Sequence, residues 1–290
     1  MGEAVRSRWL ELKLVGGLGN QLFQYATGRS LCIGQHVPYL LLNTESYQSD
    51  PFGRKLGLLH FKVKGKVVKN DFLRSMLRKG TRLNSMLSRS LLYSNIEERG
   101  LKLHRLQDNM KLLTSLNGYW QSEYYFKDIR SVLLEEITPI ECPAFPEWQR
   151  RENTVAVHIR RADYLKERGF GALNEQYYHD AMSLIRQKAA SPVFVFFSDD
   201  VPWCKERFRD ESFIFCQEED WSKDYLQLFL MSKCRHQIIA NSSFSWWGAW
   251  LNCHQEKIVI RPERPFEDET LMYESYYPPE WIPVSNYATK

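Results

Sequence analysis

Apolar positions along this chain follow two rhythms. Short runs rich in β-branched and aromatic residues occur at Trp9–Val15, Val37–Leu42, Val155–Ile159, Val193–Phe197, Phe213–Cys216, Gln237–Ala240 and Lys257–Ile260. Runs of that length and composition predict strands. Longer stretches with apolar residues near helical spacing lie between them. Gln21–Ile33 is one, with Leu22, Phe23, Ala26 and Leu31. Lys127–Ile137, Glu175–Lys188, Pro202–Phe208, Lys223–Cys234 and Phe244–Leu251 are others, and Pro202 is tolerable because it falls in a first turn. Strands alternating with helices predict an α/β fold, and in the second half a doubly wound parallel sheet. The proline-containing stretch Thr138–Glu147 reads as a linker, which places domains at 1–145 and 146–290.

Composition narrows the class. The 43% hydrophobic and 26% charged content of 290 residues is that of a soluble globular protein. A net charge of +4 is too small to imply nucleic acid. The six cysteines (Cys32, Cys142, Cys204, Cys216, Cys234 and Cys253) include no C-x-x-C pair, so they read as reduced packing residues rather than a disulfide framework or zinc site. No run is long enough to span a membrane, no signal-peptide core is visible, and Arg6 breaks the myristoylation pattern. A cytoplasmic protein is the expectation.

One region departs from the rest. Lys62, Lys64, Lys66, Lys69, Arg74, Arg78, Lys79, Arg82 and Arg89 crowd a stretch with Leu73, Met76, Leu77, Leu83, Met86 and Leu87 at roughly helical intervals. It reads as a basic helical insertion at about 62–106 in the first domain. Such a stretch, centred on 62–89, suits peripheral contact with an anionic membrane surface, or is an ordinary solvated helix face.

The candidate chemistry lies where strands end. His158, Arg160 and Arg161 follow one strand, Ser198, Asp199 and Asp200 a second, and Asn241, Ser242 and Ser243 a third. Open α/β sheets bind ligands at these carboxyl ends. The guanidinium fork of Arg160 suits a diphosphate and its departure as a leaving group; the alternative is an Arg–Asp pair capping the strand. Ser242 and Ser243 open a helix and either hold phosphate oxygens or cap it. Asp199 can accept two parallel bonds from the N1–H and N2–H edge of guanine, while Asp200 reads as a helix cap. His158 bonds a base or ribose, or satisfies its own strand end. The Gly16-Gly-Leu-Gly-Asn20 turn matches neither a dinucleotide fingerprint nor a P-loop, yet it offers backbone N–H groups at a helix start. Gly118–Phe126 interleaves rings with polar groups, as sugar sites and ordinary cores both do. No two aspartates stand two positions apart, so the Asp-x-Asp metal motif of many sugar transferases is missing and no metal is expected.

Five blocks carry a resemblance. Gly16-Gly-Leu-Gly-Asn-Gln-Leu-Phe-Gln-Tyr25, Gly118-Tyr-Trp-Gln-Ser-Glu123, His158-Ile-Arg-Arg-Ala-Asp-Tyr164, Phe197-Ser-Asp-Asp200 and Asn241-Ser-Ser-Phe-Ser-Trp-Trp-Gly-Ala-Trp-Leu251 resemble the successive motifs of bacterial α-1,2-fucosyltransferases, glycosyltransferase family 11. The resemblance implies a GT-B fold, two Rossmann-like domains facing across a cleft, with the acceptor on the side of the first. It implies transfer of L-fucose from GDP-β-L-fucose to the 2-hydroxyl of a terminal galactose, with inversion and without metal, in building a surface or lipid-linked glycan. Arg160 then matches the arginine on the β-phosphate, His158 and Asp199 match contacts to guanosine, and Ser242, Ser243 and Phe244 match the loop lining the nucleotide. Asn20 would face the diphosphate-fucose end from the other domain. Asp163, Glu123 and Glu167 are candidates for the base, Asp163 being also a possible buttress of the arginines. Ala162 stands where the family motif has glycine. Residues 261–290 read either as a cover over the acceptor or as a segment packed on the first domain.

Overall fold

The computed structural model describes residues 7–73, 75, 92–98, 100, 102–142, 144–161, 164, 171–216, 223–266 and 275–286. The chain divides into two compact units, Met1–Ile140 with Tyr273–Ser275, and Glu141–Met272 with Tyr276–Lys290.

In the first unit β1 (Trp9–Lys13), β2 (Tyr39–Asn43), β3 (Lys66–Val68), β4 (Tyr93–Glu97) and β5 (Leu113–Asn117) form a sheet in the order β3-β2-β1-β5-β4. All its pairs are parallel. The glycine turn leads from β1 into α1 (Leu18–Gly34). That helix lies hard against the sheet: a Cβ on Gly28 would come within 2.4 Å of the Leu12 side chain. Only glycine permits that approach. The helix is also tied to α2 (Arg130–Glu136), where buried Glu136 accepts from Arg29 Nη2 at 2.9 Å and from the Tyr25 hydroxyl at 2.5 Å. Pairing with a guanidinium is what makes that buried carboxylate tolerable.

Three strands of this unit carry no clear sequence signal. Lys66–Val68 and Tyr93–Glu97 are the two edge strands, where a basic helical insertion at 62–106 is expected. A three-residue strand is too short to display a period, and Tyr93–Glu97 buries only Ile96. The expected helix itself, including Arg74, Arg78, Lys79, Arg82 and Arg89, falls mainly outside the described residues. β5 sits next to the central strand yet reads Leu-Thr-Ser-Leu-Asn, because its buried positions include Thr114 and Ser115. Ser115 pairs in register with Glu11 of β1, itself fully buried. Glu11 accepts from Asn43 Nδ2 at 3.2 Å and from the Phe72 N–H at 3.0 Å. Burial, with a smaller push from Asp71, raises its carboxyl to about 7.

In the second unit β6 (Thr154–Ile159), β7 (Val193–Ser198), β8 (Ile214–Phe215), β9 (His236–Ile238), β10 (Val259–Pro262) and β11 (Ile282–Val284) form a sheet in the order β11-β10-β9-β6-β7-β8. Every pair is again parallel. This is the doubly wound Rossmann order, with its reversal between β6 and β9. Both expected α/β halves are therefore present as Rossmann-like sheets with helices. The helices here are α3 (Glu175–Lys188), α4 (Val201–Arg207), α5 (Asp224–Lys233) and α6 (Ser243–Trp250).

Strand periodicity sorts this core into two layers. Val155, Val157 and Ile159 with Phe194 and Phe196 pack on Tyr177, Ala181 and Ile185 of α3. Ala156, Val195 and Phe197 pack on Leu230 and Met231 of α5. Successive strand residues face opposite sides, so every position of β6 is buried. His158 shares the parity of Ala156 and points to the α5 side.

Most of the described part of residues 261–290 belongs to the second unit rather than packing wholly on the first. β11 extends the second sheet, and Trp281 packs on Trp246 of α6 with ring centroids 5.4 Å apart. Ser275 alone among those described clusters with the first unit, its carbonyl accepting from Ser122 Oγ at 2.9 Å. No helix among the described residues is long and apolar enough to cross a membrane.

Candidate functional site

In the second unit, register builds the site. Ile159 at the end of β6 lies opposite Ser198 of β7, so the residues that follow meet. Arg160 Nη1 stands 3.2 Å from Asp199 Oδ2, and the Arg161 N–H donates to Asp199 Oδ1 at 2.9 Å. The two arginine side chains then part, as alternation along an extended chain requires. Arg161 is fully engaged: its Nε lies 3.3 Å from Asp200 Oδ2 and its guanidinium stacks 3.8 Å from the Trp203 ring. Arg160 keeps 34% of its side chain open to solvent. Of the two, Arg160 is the more exposed to solvent, against 17% for Arg161.

The other side chains close round it. The His158 ring lies 5.5 Å from Phe244, bridging the end of β6 to the first turn of α6. Burial first, and then the Arg160 charge, depress the His158 pKa to about 3, so the imidazole is neutral. Its Nδ1 is buried with no partner among the described residues. Ser242 caps α6, its hydroxyl accepting from the Phe244 N–H at 3.3 Å, and Ser243 is the first helical residue. The Tyr164 hydroxyl donates to the Asn241 carbonyl at 3.2 Å, and its ring lies 6.0 Å from the Arg160 guanidinium. Arg160, Asp199, His158, Ser242, Ser243 and Phe244 thus gather at the carboxyl edge, where the strand order reverses. An N-terminal helix turn and one cation at that edge suit a phosphorylated ligand.

Some expected roles change. Both Asp199 oxygens already serve the arginines. Reading a guanine edge would fall to its remaining lone pairs. Asp200 does cap a helix, accepting from the Trp203 N–H at 3.2 Å. Ala162, Asp163 and Glu167 lie outside the described residues. Glu123 opens a short 3-10 turn of the first unit.

The first unit has its own strand-end pair of loops, after β1 and β5. Gly16 takes φ +82°, and a Cβ there would sit 2.7 Å from Asn20 Nδ2. The Gly16 carbonyl accepts from the Tyr47 hydroxyl at 2.8 Å and from Gln21 Nε2 at 3.0 Å. Across the loops, Gln121 Nε2 donates to Asn20 Oδ1 at 2.8 Å. Of the aromatic segment, Trp120 and Phe126 are core, whereas Tyr119 and Tyr124 are exposed. Gln121 and Tyr164 lie inside two of the five motif blocks, with no local pattern to mark them. The strand before Gln121 was the missing signal, since a polar residue past a recognised β5 stands at a carboxyl edge. Trp203 showed no signal beyond helical periodicity.

The family model "Glycosyl transferase family 11" matches residues 3–285. The chain belongs to that family. Its relatives include an alpha-1,2-colitosyltransferase of Escherichia coli, 32% identical over 94% of this chain and 97% of the relative. The O-antigen biosynthesis glycosyltransferase WbnK of Escherichia coli is 29% identical over 87% of this chain and 93% of its own. Galactoside alpha-(1,2)-fucosyltransferase 1 of Alouatta caraya is 25% identical over 93% of this chain and 73% of its own. Membership in glycosyltransferase family 11 accounts for a strand-end site with one open arginine, since such an enzyme must hold an anionic leaving group.

Proposed function

We propose that this glycosyltransferase moves L-fucose from GDP-β-L-fucose to the 2-hydroxyl of a terminal galactose, inverting the anomeric centre without a metal ion. The observation that carries the reading is Arg160, held by Asp199 and a third exposed beside the start of α6. In the reaction the bond from the sugar C1 to the diphosphate oxygen breaks. The galactose O2 bonds to C1 from the opposite face, and its proton leaves to a base or to solvent. Arg160 and the N–H groups of the first turn of α6 take up the charge of the departing GDP. His158 and Phe244 lie against the nucleoside. Relatives named for alpha-1,2 transfer support the linkage, and one named for O-antigen biosynthesis supports a surface glycan as product.

A second donor sugar, colitose, is favoured by the relative named for alpha-1,2-colitosyl transfer. The test is calorimetry with EDTA present, comparing GDP with UDP, ADP and CMP, followed by transfer from GDP-L-fucose and GDP-colitose to galactosides, with the product linkage read by NMR. Tight binding of GDP alone and a 2-linked product are expected. Preference for UDP, or a need for magnesium, would sink the donor assignment; turnover of GDP-colitose alone would replace fucose.

A further inference from the structure

One margin of the first sheet is basic with no acid to answer it. Between Asp50 and Asp71 the chain has no acidic residue, yet it places Lys62, Lys64, Lys66 and Lys69 close together. All four are exposed, and none forms an ion pair with an acid among the described residues. Where a helix is expected, Lys62 and Lys64 lead into the edge strand β3, Lys66 opens it and Lys69 follows it. Lysine on an edge strand discourages pairing with another chain, which accounts for Lys66 but not for the three outside the strand. Aliphatic side chains are exposed beside them. Phe61 bridges Pro139 in the antiparallel sense, the Ile140 N–H donates to the His60 carbonyl at 2.8 Å, and the Lys62 N–H donates to the Thr138 carbonyl at 3.1 Å. Phe61 and Pro139 are buried, so alternation turns His60, Lys62, Lys64 and Ile140 outward together. Ile140 is 63% exposed, and Leu59, next to His60, is 40% exposed.

We propose that this margin is a docking surface for a bilayer containing acidic phospholipid. The lysines meet the headgroup phosphates, and Ile140 with Leu59 enters the boundary with the acyl chains. Charge complementarity selects an anionic partner, and the aliphatic side chains decide its class. A nucleic acid offers phosphate but nothing apolar for Ile140 to enter, and surfaces that bind single strands interleave their cations with aromatic rings, whereas the side chains turned outward here are aliphatic and basic. Lysine stems also let the charge reach the headgroups while the methylenes lie against lipid. Such docking goes beyond the sugar-transfer reading and does not depend on its donor. It would bring a glycosyltransferase to acceptors carried on lipid.

The test is co-sedimentation of the full chain with vesicles of phosphatidylcholine alone and of phosphatidylcholine mixed with phosphatidylglycerol, at low and raised salt. Binding to the mixed vesicles alone is expected, released by salt as the surface potential is screened. Lys62→Gln combined with Lys64→Gln should weaken it about 20–30-fold, at about 5-fold per lysine. Ile140→Ser should weaken it about 5–10-fold. Lys188→Gln combined with Lys205→Gln removes the same charge from exposed positions of the second unit and should leave binding unchanged. Every substituted side chain is exposed, so melting temperatures and transfer to a soluble galactoside should match the parent. Absence of binding to the mixed vesicles at low salt would overturn the proposal. So would parent-level binding in the Lys62 and Lys64 double variant or in Ile140→Ser, or an equal loss in the second-unit control. Equal affinity for single-stranded RNA at the same salt would also overturn it, in favour of a general polyanion site. No nucleotide enters these measurements, so failure of the donor assignment shows separately, in the GDP titration and the product linkage.

Discussion

Replacing Asp199 by Asn tests the site at its brace. The carboxylate accepts the Arg161 N–H at 2.9 Å and meets Arg160 Nη1 at 3.2 Å. Asn keeps the size and an acceptor for the N–H, but it turns an NH2 donor toward Arg160 where the carboxylate oxygen accepted, so the brace on Arg160 is lost while the N–H bond is kept. A sealed ion pair would lose about 3–5 kcal/mol on breaking. Here Arg160 is 34% exposed, so water takes over much of its solvation and the stability loss shrinks to roughly 1 kcal/mol. The larger effect falls on binding. An unbraced arginine must be ordered by its ligand at about 1–2 kcal/mol, which is roughly a 5–30-fold rise in the Kd of GDP. Inosine diphosphate has the same diphosphate but lacks the 2-amino group of guanine. Calorimetry should therefore show the same factor for both nucleotides. A selective loss for GDP would refute the brace and restore Asp199 as the reader of guanine; an unchanged Kd for both would refute either role.

Arg160→Ala should lower transfer by at least about 100-fold while moving the melting temperature only a few degrees, because an arginine open to solvent contributes little to folding; near-normal turnover would remove Arg160 from the mechanism. Glu11→Gln should stabilise the protein at pH 8 by about 1–3 kcal/mol and have little effect at pH 4.5. The sign follows from the raised pKa: between the unfolded value of 4.5 and the folded value of about 7 the native state holds the extra proton, so stability falls as pH rises through that window. Urea denaturation at the two pH values decides it, and equal shifts would contradict the buried acid. Gly16→Ala places a Cβ 2.7 Å from Asn20 Nδ2 on a backbone at φ +82°, and should cost about 1–2 kcal/mol with a larger fall in kcat/KM than in stability.

Much of this molecule is legible in its sequence. The strands of the second half announce themselves because a parallel sheet covered on both faces needs continuous apolar runs, as at Thr154–Ile159. The polar clusters at their ends follow, since ionised groups cannot be carried into such a core. Arg160, Asp199, His158 and the Ser242–Phe244 turn accordingly share one edge. The first unit lacks that signal: Glu11, Asn43, Thr114 and Ser115 are all buried in strands, the first three hydrogen-bonded to one another or to the backbone, so polarity no longer marks the surface. The Asn20–Gln121 bond spans 101 positions, and no local pattern encodes it.

The sequence alone determined the class of fold, the carboxyl-edge position of the second-unit site and the residue types available there, because these depend on period and on the cost of burying charge. Tertiary structure decided which group faces which. Register set Asp199 against Arg160, strand parity turned His158 toward Phe244, and stacking on Trp203 took Arg161 out of play. Partner choice of this kind is a matter of ångströms between residues far apart in the chain, and only the packed sheet supplies them.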